Sequence, residues 1–135
     1  MVDENKILLI DDNEKSRHDL ETLLSFIGES IISATSSNWQ TLVEDAVSKS
    51  SGVCVAIIGN CQQATWEDLL SDIHQWEPGT PFILLGERDI PAHIEASLAA
   101  AITATVNYPL SYQPLLDALH KARVFYENFN RLRDF

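Results

Sequence analysis

Residues 6–28 read KILLIDDNEKSRHDLETLLSFIG, and the fold turns on how this stretch divides. After Lys6 come four consecutive aliphatic residues, a run of strand length. Asp11, Asp12 and Asn13 interrupt it. Apolar residues then return at Leu20, Leu23, Leu24 and Ile27, a helical spacing that stops at Gly28, where glycine supplies the left-handed conformation that ends helices. The stretch is therefore a strand, a polar turn and a helix.

The unit repeats. Strand-length apolar runs recur at ESIISA (29–34), VCVAIIG (53–59), PFILLG (81–86) and ATVNY (104–108). Helix-period segments separate them. Segment 38–49 places Trp39, Leu42, Val43, Ala46 and Val47 together after Ser36 and Ser37. Segment 66–76 follows Thr65, whose spacing to Asp68 matches a capping box, and ends before Pro78-Gly79. Segment 91–102 opens with Pro91, and the last segment runs from Ser111 to about residue 132 with Pro114 in its first turn. Strict strand and helix alternation implies a parallel sheet covered on both faces. Five strands and five helices fit a flavodoxin-like doubly wound α/β sheet, whose functional residues lie outside the carboxyl ends of the strands.

A chain of 135 residues is the size of one domain and buries about two-thirds of the surface its unfolded form exposes. Twenty acidic residues against nine basic ones give a net charge of −11, which repels phosphate backbones and anionic lipid. Direct nucleic-acid or membrane binding is not expected. The N-terminal MVDENK has no apolar signal-peptide core, and no run reaches the length of a membrane span. Cys54 and Cys61 form no CxxC pattern and suit a reducing compartment, so cytoplasmic residence is the expectation. Lys121, Arg123, Arg131 and Arg133 stand near the end beside only Glu127 and Asp134. Such a basic tail either complements the dipole of its own helix or serves a neighbouring domain.

Asp11 and Asp12 follow the first strand, where adjacent carboxylates begin a hard-cation site for magnesium. They equally suit the acidic start of the helix near Asn13, favoured by its dipole. The third strand ends differently, in Gly59 and Asn60, with no carboxylate.

IDDN after strand one, within this alternation, resembles a response-regulator receiver domain over residues 1–125. The resemblance implies magnesium at Asp11 and Asp12, a phosphoacceptor aspartate ending strand three, a Ser/Thr ending strand four and a lysine before a proline ending strand five. Those last three positions fall on Gly59, Gly86 and Tyr108. Nucleophile, hydroxyl and ammonium are all replaced, so the expected site is degenerate, its metal pair vestigial and its cofactors none. Asn60 is offset by one residue, and an amide would not form an acyl phosphate. The resemblance also implies a cis bond before Pro109.

LLIDDN, the glycine at the end of strand three, GE after strand four and YPLSYQPLLDALHKARVFYE (108–127) are similar to the N-terminal domain of the FleQ/FlrA flagellar master regulators. The resemblance implies a parent that joins a degenerate receiver to an AAA+ ATPase engaging sigma-54 polymerase and to a DNA-binding helix-turn-helix. It also implies cyclic di-GMP binding by the ATPase part and a partner ATPase acting as antiactivator. Neither a Walker motif nor a helix-turn-helix pattern occurs here. Residues 126–135 are expected to begin a linker helix toward the AAA+ domain.

Two stretches point to self-association into a homodimer. Leu115, Leu119, Ala122, Tyr126 and Phe129 keep a four-three alternation, with Phe125 and Leu132 beside them. The first part suits an ordinary core helix, and Tyr126 to Leu132 suit a linker or dimer seam. EASLAAAITATV (95–106) has no charge after Glu95; read as a helix, it lacks the usual solvated face and would place Leu98 and Ala101 at an interface. His18, His74, His93 and His120 show no ligand spacing, and Trp39, Trp66 and Trp76 fit core packing. The expected role is a non-enzymatic, non-phosphorylatable regulatory and dimerisation domain. Two alternatives remain: phosphotransfer through Asp11 or Asp12, and a nucleotide sensor using the room that Gly59 and Gly86 vacate.

Overall fold

The computed structural model describes residues 6–46, 52–61, 65–86, 94–108 and 110–133. Its elements alternate as the sequence predicts: β1 (Lys6–Ile10), α1 (Glu14–Ile27), β2 (Ile31–Ala34), α2 (Trp39–Ala46), β3 (Val53–Ile58), α3 (Trp66–Trp76), β4 (Phe82–Leu85), α4 (Ala96–Ala101), β5 (Ile102–Val106) and α5 (Tyr112–Arg133). All four strand pairings are parallel, in the order β2-β1-β3-β4-β5. Ile10 pairs with Ala34 on one side and Ile58 on the other, so the carboxyl ends of β1, β2 and β3 finish level.

Because side chains alternate across a strand, the strands supply two cores. Leu8, Ile10, Ala56, Ile58, Phe82 and Leu84 pack under α2, α3 and α4 with Val43, Leu70 and Ile73. Ile7, Leu9, Val55, Ile57, Ile83 and Leu85 face α1 and α5, where Leu20, Leu24, Leu115 and Leu119 cover them. Each fully buried Leu or Ile contributes about 1.5–3 kcal/mol.

Helix boundaries follow local chemistry. Asn13 caps α1 by accepting the Ser16 N–H at 2.9 Å, and Gly28 ends it at φ 98°. Thr65 caps α3 by accepting the Asp68 N–H at 3.3 Å. Trp39 meets Trp76 edge to face at 6.2 Å, tying the start of α2 to the end of α3.

The fourth helix corrects the reading of the sequence. It holds six residues, and β5 begins at Ile102 rather than Ala104 and stops at Val106. β-branched Ile102 and Thr103 favour the pleated surface: Ile102 pairs with Phe82, and the Thr103 hydroxyl donates to the Phe82 carbonyl at 3.3 Å. EASLAAAITATV is thus a short helix followed by the edge strand. Leu98 and Ala101 are 5% and 0% exposed; they belong to the chain's own core and present no interface.

α5 continues unbroken past the sheet. Tyr126 is half-buried against the α1/α5 core, and Phe125 stacks on Phe129 at 6.5 Å. A Cβ built on buried Gly79 would sit 2.5 Å from Phe129 Cδ1, so the glycine admits that ring. Tyr126 and Phe129 are therefore partly spent on their own domain, leaving only their outer edges for a partner. The side chain of Leu132 and residue Pro109, with its expected cis bond, lie outside the described residues. At the amino end of the sheet Arg123 of α5 pairs with Glu29. That hydrogen bond raises the guanidinium pKa, while burial pushes the neighbouring Cys54 thiol up.

Candidate functional site: the carboxyl ends of β1, β3, β4 and β5

Asp11 directly follows β1 and is 0% exposed. An unpaired carboxylate there would be costly, and local folding answers that cost. Its Oδ1 accepts the Asn13 N–H at 2.8 Å and the Asn60 amide at 3.1 Å, while its Oδ2 accepts the Ser16 hydroxyl at 2.7 Å. Arg17 donates to the Asp11 carbonyl at 2.8 Å. The first turn of α1 is thereby fastened to the end of β1.

Asp12 turns the other way. Its two oxygens accept the Ser36 N–H at 2.7 Å and the Ser36 hydroxyl at 2.6 Å, which fixes the loop between β2 and α2. The adjacent carboxylates therefore serve two different loops.

Gly59 explains why the cluster closes. A Cβ built on it would overlap Asp11 Oδ2 and lie 2.9 Å from Asp11 Cγ. The Asp11 carboxylate occupies the space that any side chain at position 59 would enter. Backbone bonds hold the approach: the Gly59 N–H donates to the Ile10 carbonyl at 2.8 Å, and the Asp12 N–H to the Asn60 carbonyl at 2.8 Å.

On the other half of the sheet, Gly86 adopts φ 84° and donates its N–H to the Val106 carbonyl at 2.8 Å. A Cβ there would meet the Tyr108 ring at 3.4 Å. Tyr108 itself is 48% exposed. Asp11 thus stands against Gly59, and the Tyr108 ring lies beside Gly86.

The structure brings Asp11 and Gly59 together, and Gly86 with Tyr108, but sends Asp12 outward to Ser36. Magnesium requires oxygen lone pairs converging near-octahedrally on one point. Here the two carboxylates already face at least five donors, and the third family position is a glycine, so these residues do not fit the ion. Among the described residues no group of three or more His, Cys, Asp or Glu is arranged to hold a metal.

Sequence reasoning missed Ser16, Arg17, Ser36 and Asn60. Ser16 stands three residues after the Asn13 cap, a signal that local spacing carries. Ser36 lies 24 positions from Asp12, and only the pairing of β1 with β2 joins them. Asn60, discounted for its offset, reaches Asp11 because the chain turns immediately after β3.

Comparison with known proteins bears on the family and the fold. The model of the family described as Flagellar regulatory protein FleQ matches residues 6–124, and the chain belongs to that family. Among solved structures, it is similar to a response regulator receiver domain protein from Clostridium thermocellum, 22% identical, covering 93% of this chain and 98% of that one with a TM-score of 0.73. The signal receiver domain of an HD domain-containing protein from Pseudomonas fluorescens Pf-5 is 25% identical, covering 97% and 95%, with a TM-score of 0.73. A CheY-like receiver domain protein from Methanospirillum hungatei JF-1 is 18% identical, covering 94% and 98%, also with a TM-score of 0.73. The fold is that of a receiver domain. No helix among the described residues is long and apolar enough to cross a membrane.

Proposed function

We propose that this member of the flagellar regulatory family is a regulatory receiver-like domain that has abandoned phosphotransfer, and that it acts by contact within a sigma-54-dependent activator of flagellar genes. The observation that carries the reading is the Asp11 carboxylate standing where the side chain of a phosphoacceptor would enter beside Gly59. An acyl phosphate forms when an accessible carboxylate attacks phosphorus. Asp11 is buried with both oxygens hydrogen-bonded, and Asp12 is bound to Ser36 through both of its own. Hydrogen bonds already engage both carboxylates, which opposes their use as nucleophiles, and the domain is read as non-enzymatic.

Self-association and contact with an AAA+ neighbour complete this reading, with an antiactivator ATPase as a further partner of the parent. Residues 96–116 contain no charged side chain in a chain of net charge −11. Two acidic bodies meet with least repulsion on such a surface, which here comprises α4 and the edge strand β5. Exposed Ala100 and Thr105 lie on it.

Two measurements test the proposal. Incubation with a small acyl phosphate and magnesium, followed by intact mass, is expected to leave the chain unmodified; a stable phosphoryl adduct on Asp11 or Asp12 would overturn the reading. Sedimentation over a concentration series should show association that beryllofluoride does not change and that Thr105→Glu weakens. Association only with the phosphoryl mimic would return the domain to the phosphorylated switches.

A further inference from the structure

A helix that outruns its sheet ordinarily frays where its apolar contacts end. α5 holds 22 residues, about 33 Å at the helical rise. The strands hold four to six residues, ~13–20 Å. The second half of α5 therefore passes the amino end of the sheet, opposite Asp11 and Gly59. There it keeps its contacts. Phe125 packs with the core under α2, α3 and α4, while Tyr126, the next residue, packs with the core under α1 and α5. The helix thus stands where the two layers meet. Arg123 anchors it to Glu29, just before β2. Phe129, stacked on Phe125, anchors it to Gly79, before β4. β1 and β3 lie between these two strands in the sheet.

We infer that Phe129 and the notch at Gly79 form a latch: it holds the second half of α5 as a strap across the amino end of the sheet, so that the turn between α3 and β4 sets the direction in which this helix points. The notch requires glycine. A Cβ at position 79 would stand 2.5 Å from Phe129 Cδ1 and 2.9 Å from Cε1, so any side chain there must displace the ring. The turn that carries the notch is firmly held. The Gly79 N–H donates to the Glu77 carboxylate at 3.3 Å and the Thr80 N–H to the Glu77 carbonyl at 3.2 Å. The buried Thr80 hydroxyl donates to the Val53 carbonyl at 3.0 Å, which ties the turn to the first residue of β3. On the helix, Phe125 and Phe129 stand four residues apart, a spacing that puts both rings on one face. A ring set between a fixed turn and a helix has few other places to go, and displacing it swings the helix end. The turn and the strap therefore move as one body. The device lies away from positions 59 and 86 and needs no phosphoryl group.

NMR of the whole chain tests the latch. In the parent, the Gly79 Hα is expected to show a nuclear Overhauser contact with the Phe129 ring, and the residual dipolar couplings of amides 124–133 to fit the alignment of the sheet. Phe129→Ala and Gly79→Ala should each make those amides exchange about tenfold faster and shrink their couplings, while β1 and β3 keep their protection. Gly79→Ala should have no further effect in a Phe129→Ala chain, because no ring remains to be displaced. The inference falls if the parent's couplings over 124–133 are already averaged toward zero, or if Phe129→Ala leaves exchange and couplings unchanged. It falls if Gly79→Ala acts as strongly with the ring absent, for then the glycine serves the turn alone. It falls also if protection of 124–133 declines on dilution, for then a second copy holds the helix.

Discussion

Helix α1 presents two surfaces to two different fates. Its first turn meets buried Asp11, where Ser16 and Arg17 close a partly buried polar cluster with Asn13 and Asn60. Its outer stripe, from Lys15 through Asp19 and Leu23 to Phe26, lines an open apolar groove. Buried polar groups hold structure only when satisfied, and a satisfied carboxylate has little left for a substrate. Exposed aromatics cost the fold little and remain available to a partner. The contrast places a hydrogen-bonded polar cluster at the end of β1 and exposed apolar side chains on the surface beside it.

Breaking the cluster should therefore cost far more than altering the groove. Asp11→Ala leaves the Asn13 N–H, the Ser16 hydroxyl and the Asn60 amide without their acceptor, and a loss of about 3 kcal/mol in urea unfolding is expected. A loss below about 0.5 kcal/mol would mean that the cluster is not structural.

Gly59→Ala forces a methyl group against the same carboxylate and should cost about 2 kcal/mol. In an Asp11→Ala background that cost should nearly vanish, a coupling that a double-mutant cycle reads directly. Additive effects would deny that the two positions share one space.

Gly86→Ser would restore a hydroxyl at the end of β4, but at φ 84° and against the Tyr108 ring. Strain of about 1–2 kcal/mol is expected in the same assay. The adjusted Tyr108 side chain should be visible in NMR spectra of its ring.

Phe26→Ala is the smallest effect. With the ring 79% exposed, stability should stay within about 0.5 kcal/mol of the parent. A larger loss would assign Phe26 to the fold.

Much of the architecture was legible because it rests on local periodicity. KILLI and VCVAIIG alternate nothing and are buried on both faces, as strands of a covered parallel sheet must be. Gly28 and Thr65 marked helix ends through chemistry confined to a few residues. The stretch 95–106 misled because alanine favours helix while Ile102, Thr103 and Thr105 favour strand. Pairing with β4, a contact of about twenty residues' separation, settled it.

The candidate site was legible only as a set of positions. Asp11, Asp12, Gly59, Gly86 and Tyr108 could be named from strand ends, and the absent carboxylate at position 59 was visible in the chain itself. That Asp11 would fill that place, that Asp12 would turn to Ser36 and that the Tyr108 ring would approach Gly86 depended on which strands lie side by side. Sequence alone determined the repeating strand and helix order, the two apolar faces of the sheet and the glycine, glycine and tyrosine at positions 59, 86 and 108, because these follow from residue type and short-range spacing. Only the tertiary structure decided where the remaining polar groups point and which aromatics stay exposed, because hydrogen-bond partners and burial come from residues that meet through the sheet.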